Sequence, residues 1–169
     1  TWGSQTGVGF WRPSAGELGA ARIAAPILFT LPRKLVVLGD RAYFAAADGA
    51  GLELWVSDGA TYAGCHRVAD INPRRAGSSP RELTVVGDSL FFTADDGVHG
   101  RELWGSDGTS EGTVRVADVA PGAATSYPQH LAAVGDRLVW AADDQVHGLE
   151  PWIVDAHGEH PALLADVAG

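Results

Sequence analysis

Short apolar runs separated by turn residues dominate the middle of this sequence. Gly87-Asp88 separates the first two runs, and Asp107-Gly108 precedes the last. Short runs bounded by glycine and aspartate are typical of strands joined by tight turns, whereas helices need longer periodic segments. We therefore predict four antiparallel strands in this region and no long helix. The predicted strands cover residues 83–86, 90–94, 102–105 and 113–119.

The same pattern returns along the chain at a fixed spacing. The pairs Gly39-Asp40, Gly87-Asp88 and Gly135-Asp136 follow one another at intervals of 48 residues. Four short strands in about 48 residues match the length of a propeller blade. The sequence thus predicts an all-β fold, a β-propeller-type repeat of four-stranded antiparallel blades. Each unit opens on a leucine, at Leu35, Leu83 and Leu131.

The N-terminal 34 residues resemble the end of a further, eroded unit. Trp2-Gly3-Ser4 copies Trp104-Gly105-Ser106, and residues 7–15 read as an insertion. About three full blades and a half blade fall short of the 4 to 8 that close a propeller. Either the half blade completes a fourth blade, or chains pair into a larger ring, or the chain is part of a longer protein. The predicted division is 1–34 for the degenerate half blade, then repeats at 35–82, 83–130 and 131–169.

The charge balance excludes some classes of partner. With 12 Lys and Arg against 21 Asp and Glu, the chain has a net charge of −9. Such a field repels phosphate backbones and anionic headgroups, so we expect neither nucleic acid binding nor membrane insertion. Hydrophobic residues make up 46% of the chain, which is enough for a core. Cys65 is the single cysteine, so no internal disulfide can form.

The longest repeated motif is DGVHGRELWGSDGT at residues 96–109, which returns in part around Glu53-Leu54-Trp55 and Glu150-Pro151-Trp152. It resembles the bacterial ELWxxDGT repeat family, and the resemblance covers about residues 35–169. The resemblance implies a propeller-like repeat in exported or cell-surface bacterial proteins, and it implies no catalytic residues. The other units depart from the motif at Ala50, Gly51, Gln145, Pro151 and Ala156.

The repeated tryptophans and glutamates have two interpretations each. A tryptophan beside a strand leucine in every unit packs blade against blade, or it offers an exposed ring on which sugars stack. The glutamates accept hydrogen bonds from backbone or arginine, or they take part in acid-base chemistry. Packing and hydrogen bonding are the favoured interpretations. The candidate binding residues kept from these sets are Glu102, Trp104, Glu150 and Trp152.

Aspartates cluster in the loop that precedes each of these motifs, and they accompany His99 and His147. Aspartate and histidine at such positions are expected to bond the loop backbone as Asx-turns do, and both histidines are also candidate binding residues. Calcium is the one cofactor that the sequence leaves open. His157 and His160, three residues apart, could clasp a metal, although an exposed loop is the favoured interpretation. The calcium candidates are Asp48, Asp95, Asp96, Asp143 and Asp144.

Arginines in one linker stand out on an acidic chain. Arg74, Arg75 and Arg81 form either a solvated loop or a site for an anion or a carboxylated sugar. No GxSxG motif, P-loop or dinucleotide fingerprint occurs, so an enzyme is the less favoured class. We interpret the chain as an extracellular or cell-surface, lectin-like binding module whose loops contact a glycan or protein partner. The alternatives are a hydrolase with acids near a propeller channel, and a self-assembling surface repeat that completes its ring as a homo-oligomer.

Overall fold

The computed structural model describes residues 10–13, 20–23, 33–60, 64–73 and 76–166. Every regular element in these residues is a β-strand, which confirms the predicted all-β class. None of them belongs to a helix with the length and apolarity that a membrane crossing needs.

The strands form one two-stranded sheet and three four-stranded sheets, all antiparallel and each in chain order. The short sheet pairs β1 (Phe10–Pro13) with β2 (Ala20–Ile23). Sheet one contains β3 (Arg33–Leu38), β4 (Arg41–Asp48), β5 (Gly51–Ser57) and β6 (Cys65–Arg67). Sheet two contains β7 (Arg81–Val86), β8 (Ser89–Asp95), β9 (Arg101–Ser106) and β10 (Val114–Ala117). Sheet three contains β11 (Gln129–Val134), β12 (Arg137–Asp143), β13 (Leu149–Asp155) and β14 (Ala162–Leu163).

The repeated Gly-Asp pairs are the turns between the first and second strand of each sheet. In sheet two, Val86 pairs with Ser89, which leaves a two-residue turn between them. Such turns need positive φ, which glycine adopts without a steric cost. The φ angles of Gly39, Gly87 and Gly135 are 60°, 57° and 62°. The sequence anchor of the repeat is therefore a backbone requirement of its hairpin.

The first strand of each sheet begins two residues before the leucine that opens its predicted unit. A bulge interrupts the pairing there, between Arg81 and Thr84 in sheet two. A bulge adds one residue and breaks the alternation of side chains, so an apolar pattern does not reveal the residues before it. Non-glycine residues take positive φ at this bulge in every unit, with Lys34 at 30°, Glu82 at 56° and His130 at 60°.

The N-terminal region differs in detail from the predicted half blade. Trp2-Gly3-Ser4 lies outside the described residues, and the strand that pairs with β2 is β1. β1 lies inside the segment 7–15 that the sequence assigns to an insertion.

Apolar clusters join the sheets in series. One cluster joins sheet one to sheet two and includes Tyr43, Leu54 and Phe92. A second joins sheet two to sheet three and includes Phe91 and Trp140. Successive residues of a strand face opposite sides, so Phe91 and Phe92 reach the two different neighbours of sheet two. The three described four-stranded sheets do not by themselves close a ring.

A buried glutamate ties each of the first two sheets to the linker that enters the next sheet. The Glu102 carboxylate accepts hydrogen bonds from Val119 N (3.2 Å), Ser126 N (3.0 Å) and Ser126 Oγ (2.7 Å). The carbonyl of Ser126 then accepts a bond from Asp143 N of sheet three at 2.8 Å. We call this relay the glutamate–serine seam. Burial raises the pKa of Glu102, although these hydrogen bonds act in the opposite direction.

The same seam occurs 48 residues earlier, between sheets one and two. Glu53 accepts bonds from Asn72 N at 3.2 Å, from Ser78 N at 2.9 Å and from the Ser78 hydroxyl. The Ser78 carbonyl accepts a bond from Asp95 N at 3.0 Å. The glutamates of both seams are fully buried, and burial raises the pKa of Glu53 as well. They act as hydrogen-bond acceptors of the scaffold, as the sequence favours.

Candidate functional site

A groove of about 490 Å³ lies between the edge strand of sheet two and the outer strands of sheet three. β10 supplies one wall, while β13 and the loop that precedes it supply the other. The site thus forms where two repeats meet. Its lining includes Asp118, Pro121, Asp144, Val146, Trp152 and Pro161.

The indole of Trp152 is held in a fixed orientation on this wall. Its Nε1 donates a hydrogen bond to the carbonyl of Ala142 at 3.2 Å. Its ring stacks on Trp140, with the centroids 6.4 Å apart and the planes at 29°. Trp140 is buried between sheets two and three, whereas Trp152 is only partly buried. The fold therefore fixes the ring and leaves part of it in the groove.

The loop at residues 143–148 is shaped by its own side chains. Asp144 Oδ1 accepts hydrogen bonds from Val146 N at 2.9 Å and His147 N at 2.7 Å. Asp144 Oδ2 lies 2.7 Å from His147 Nδ1. These bonds lower the pKa of Asp144 to about 2, and the bond with Asp144 raises the pKa of His147. A carboxylate that is ionised at neutral pH thus lies in the groove, and Val146 at the loop tip is 78% exposed.

Sheet two carries the same loop 48 residues earlier. Asp96 Oδ1 accepts bonds from Val98 N and His99 N, both at 2.8 Å, and Asp96 Oδ2 lies 2.7 Å from His99 Nδ1. Burial raises the pKa of Asp96, but the bonds from His99 and Val98 outweigh it and leave the pKa lowered. As the sequence predicts, these aspartates and histidines bond the loop backbone.

The calcium candidates are engaged in this local bonding. Oδ1 of Asp48 accepts a bond from Ala50 N at 2.8 Å, and Oδ1 of Asp95 accepts one from Gly97 N at 2.7 Å. Asp143 bonds Gln145 N in the same way, at 2.7 Å. In the part of the chain that the structure describes, three side chains close enough to share a metal ion occur together elsewhere, at Asp155, Glu159 and His160.

The other candidate binding residues are dispersed. Glu102 lies in the seam, and Glu150 is buried on β13. Trp104 packs against the cluster between sheets one and two, and Trp152 packs against the next cluster as well as lining the groove. Arg81 is exposed at the start of β7, while Arg74 and Arg75 lie outside the described residues. The structure thus brings together Asp144 and Trp152 at the groove, with His147 bonded to Asp144.

Sequence reasoning missed two groups of residues. Asp118 lines the groove and forms an ion pair with Arg115, in which the nitrogen and oxygen are 2.9 Å apart. Arg67 and Asp70 form the same pair 48 residues earlier at 3.4 Å, so the repeat itself carried that signal. The serines of the seams, Ser78 and Ser126, also recur at this interval.

The groove offers an aromatic face, an apolar loop tip and two carboxylates as hydrogen-bond acceptors. This combination suits the binding of a neutral ligand that has hydroxyl donors and an apolar face. Because the pKa of Asp144 is about 2, this group is ionised at neutral pH and is unsuited to act as a general acid. No protein-family model matches the chain, and no curated protein matches it.

Proposed function

We propose that this chain is an extracellular, propeller-type binding module that holds a neutral glycan in the groove beside Trp152. The observation that carries the proposal is the pairing of a fixed indole with ionised carboxylates in one groove. Sugar rings have an apolar face of C–H groups and a rim of hydroxyl donors, which match these two kinds of surface. The lectin-like function is supported by this chemistry.

The electrostatics of the groove favour a neutral ligand over an acidic one. Asp118 is paired with Arg115 and Asp144 with His147, so both carboxylates keep their orientation without a ligand. The chain carries a net charge of −9, which disfavours glycans rich in carboxylate or sulfate. A preformed site also loses little conformational entropy when a ligand binds.

The propeller is part of the same proposal. The three sheets pack in series through apolar clusters and repeat every 48 residues, as propeller blades do. The face of sheet three that points away from sheet two includes Val139 and Ala141, which are partly exposed. A further blade, from a second copy in a homo-oligomer, would cover this face. Membership in the ELWxxDGT repeat family and a location at the cell surface complete the proposal.

The test compares two equivalent loop tips. Val146 lines the groove, while Val98 occupies the same position in the loop of sheet two and is also exposed. Neutral oligosaccharides of the cello, chito and manno series are titrated against the chain by calorimetry, with tryptophan fluorescence as a second readout. Val146→Asp should weaken binding by about tenfold, equivalent to about 1.4 kcal/mol. The matched control Val98→Asp should bind as the unsubstituted chain does.

Either of two results would overturn the proposal. If none of the oligosaccharides binds, the groove is not a site for neutral glycans. If both substitutions weaken binding equally, the ligand is held by a loop that recurs in each unit and not by the groove.

A further inference from the structure

A second group of polar side chains lies in the hairpin between β13 and β14, outside the groove. One donor atom each from Asp155, Glu159 and His160 lies within 4.8 Å of the other two. The three side chains line a cavity of about 210 Å³, together with Arg137 and residues of β13. This volume accommodates an ion together with ordered water, since one water occupies about 30 Å³ in the liquid.

The distance between Asp155 and His160 differs from that of the other aspartate–histidine pairs. Asp155 Oδ2 and His160 Nδ1 are 3.5 Å apart, whereas the corresponding atoms of the pairs at Asp96 and Asp144 are 2.7 Å apart. The two short pairs are hydrogen bonds of good geometry, and 3.5 Å is at the limit for one. Two ligand atoms that each lie about 2.1 Å from a tetrahedral zinc ion are about 3.4 Å apart. The spacing in the hairpin is therefore that of ligands around a metal ion.

The hairpin backbone leaves the second oxygen of Asp155 available. Asp155 Oδ1 accepts hydrogen bonds from His157 N at 3.0 Å and Glu159 N at 2.8 Å, which fixes the carboxylate in the turn. Oδ2 then faces the imidazole of His160. One oxygen of the carboxylate thus shapes the hairpin, and the other is directed towards the three-residue group.

We propose that Asp155, Glu159 and His160 bind a divalent transition metal ion, with zinc as the probe. Zinc accepts imidazole nitrogen and carboxylate oxygen, and three protein ligands leave a fourth position for water or an added ligand. Two carboxylates and the nearby Arg137 guanidinium sum to a charge of about −1, which a divalent cation converts to about +1. The open position therefore suits an anionic ligand that Arg137 also contacts.

The site is particular to the third repeat. At the same offset in the second repeat stand Asp107, Glu111 and Gly112, so both acids are present and the imidazole is absent. A Cβ placed on Gly112 would lie 2.1 Å from Asp107 Oδ1, so the turn of the second repeat excludes a side chain there. The sequence pairs His157 with His160 as a metal clasp, but His157 contributes no atom to the group.

The test uses zinc and two histidine variants of the same hairpin. His160 has a φ of 59°, which asparagine tolerates, so His160→Asn removes the imidazole without straining the turn. Calorimetry should show zinc binding that falls by at least about tenfold in His160→Asn and stays unchanged in the control His157→Ala. Imidazole NMR resonances should shift for His160 on addition of zinc, and calcium should bind more weakly because it prefers oxygen ligands.

The proposal is overturned if His160→Asn binds zinc as tightly as the unsubstituted chain, or if zinc shifts the resonances of His157 and not those of His160. Circular dichroism of each variant confirms that the sheets remain folded, so a loss of binding reports on the site. The glycan titration is independent, because neither Val98 nor Val146 belongs to this hairpin.

Discussion

Sheets two and three have equivalent central strands but different environments. Residues 90–94 of β8 are all buried, because sheet one covers one face of sheet two and sheet three covers the other. In β12, 48 residues later, Leu138 and Trp140 are buried while Val139 between them is partly exposed. The comparison teaches that burial in this repeat depends on the neighbouring sheet as well as on the pattern of the strand itself.

The largest expected effect contrasts the two faces by truncation. Phe91 and Val139 occupy the same strand position, but Phe91 lies in the cluster between sheets two and three. Phe91→Ala should lower the free energy of unfolding by about 3 to 5 kcal/mol, because it leaves a cavity in a packed core. Val139→Ala should cost less than about 1 kcal/mol. Urea denaturation measures both values.

Val154 supplies the size-matched control, since it is 1% exposed on the covered face of sheet three. Val154→Ala should cost about 2 kcal/mol, more than Val139→Ala. Equal costs at the two valines would mean that another copy of the chain covers the open face in solution, and the contrast between the sheets would then not hold.

A smaller effect is expected at the seam that joins the two sheets. Glu102→Gln places an amide donor against one of the groups that now donate to the carboxylate, so it should cost about 2 kcal/mol. The pH dependence has a definite sign. The folded state holds the Glu102 proton to higher pH than the unfolded state, so stability falls as pH rises from 4.5 through the raised pKa.

Chemical denaturation between pH 4 and pH 8, values of about the range over which buried carboxylates titrate, measures this slope. Glu102→Gln should flatten it, and Glu53 should account for what remains. Glu111 is exposed, so Glu111→Gln is the control and should leave the slope unchanged. A slope that is unaffected by Glu102→Gln would contradict the role assigned to burial.

The smallest effect concerns the loop at the rim of sheet three. The pKa of Asp144 is lowered to about 2, so its contribution to stability is present above its ordinary value of 3.8 and is lost as pH falls towards 2. Asp144→Asn should remove this dependence and return the pKa of His147 towards its ordinary value. An NMR titration of the imidazole measures the change. A His147 pKa that stays raised in Asp144→Asn would exclude the carboxylate as its cause.

Much of the fold could be predicted because its local requirements appear in the sequence. The Gly-Asp turns need positive φ, and the aspartates of the loops bond amides two or three residues away. The groove could not be predicted, because it depends on how β10 approaches β13. The seam was also hidden, because Glu102 and Ser126 are 24 residues apart and meet only through the stacking of sheets.

The hairpin of the third repeat shows the same limit on a smaller scale. Asp155 N bonds the carbonyl of Glu159, whereas Asp58 N in the first repeat bonds the carbonyl of Gly64, two residues farther along. The shorter closure accompanies the grouping of Glu159 and His160 with Asp155. A repeat alignment keeps such residues in register and does not report a change in the closure of the turn.

The glutamate–serine seam has a consequence for how such a chain can change its length. Every part of the seam lies within about one repeat interval, with the glutamate on one sheet and its serine at the entrance to the next. An in-frame duplication of any 48-residue block would therefore carry a complete fastening with it, and the new sheet would be joined on arrival. Gain and loss of whole units is thus compatible with a stable fold, whereas an insertion between Glu102 and Ser126 would disrupt the junction between two sheets.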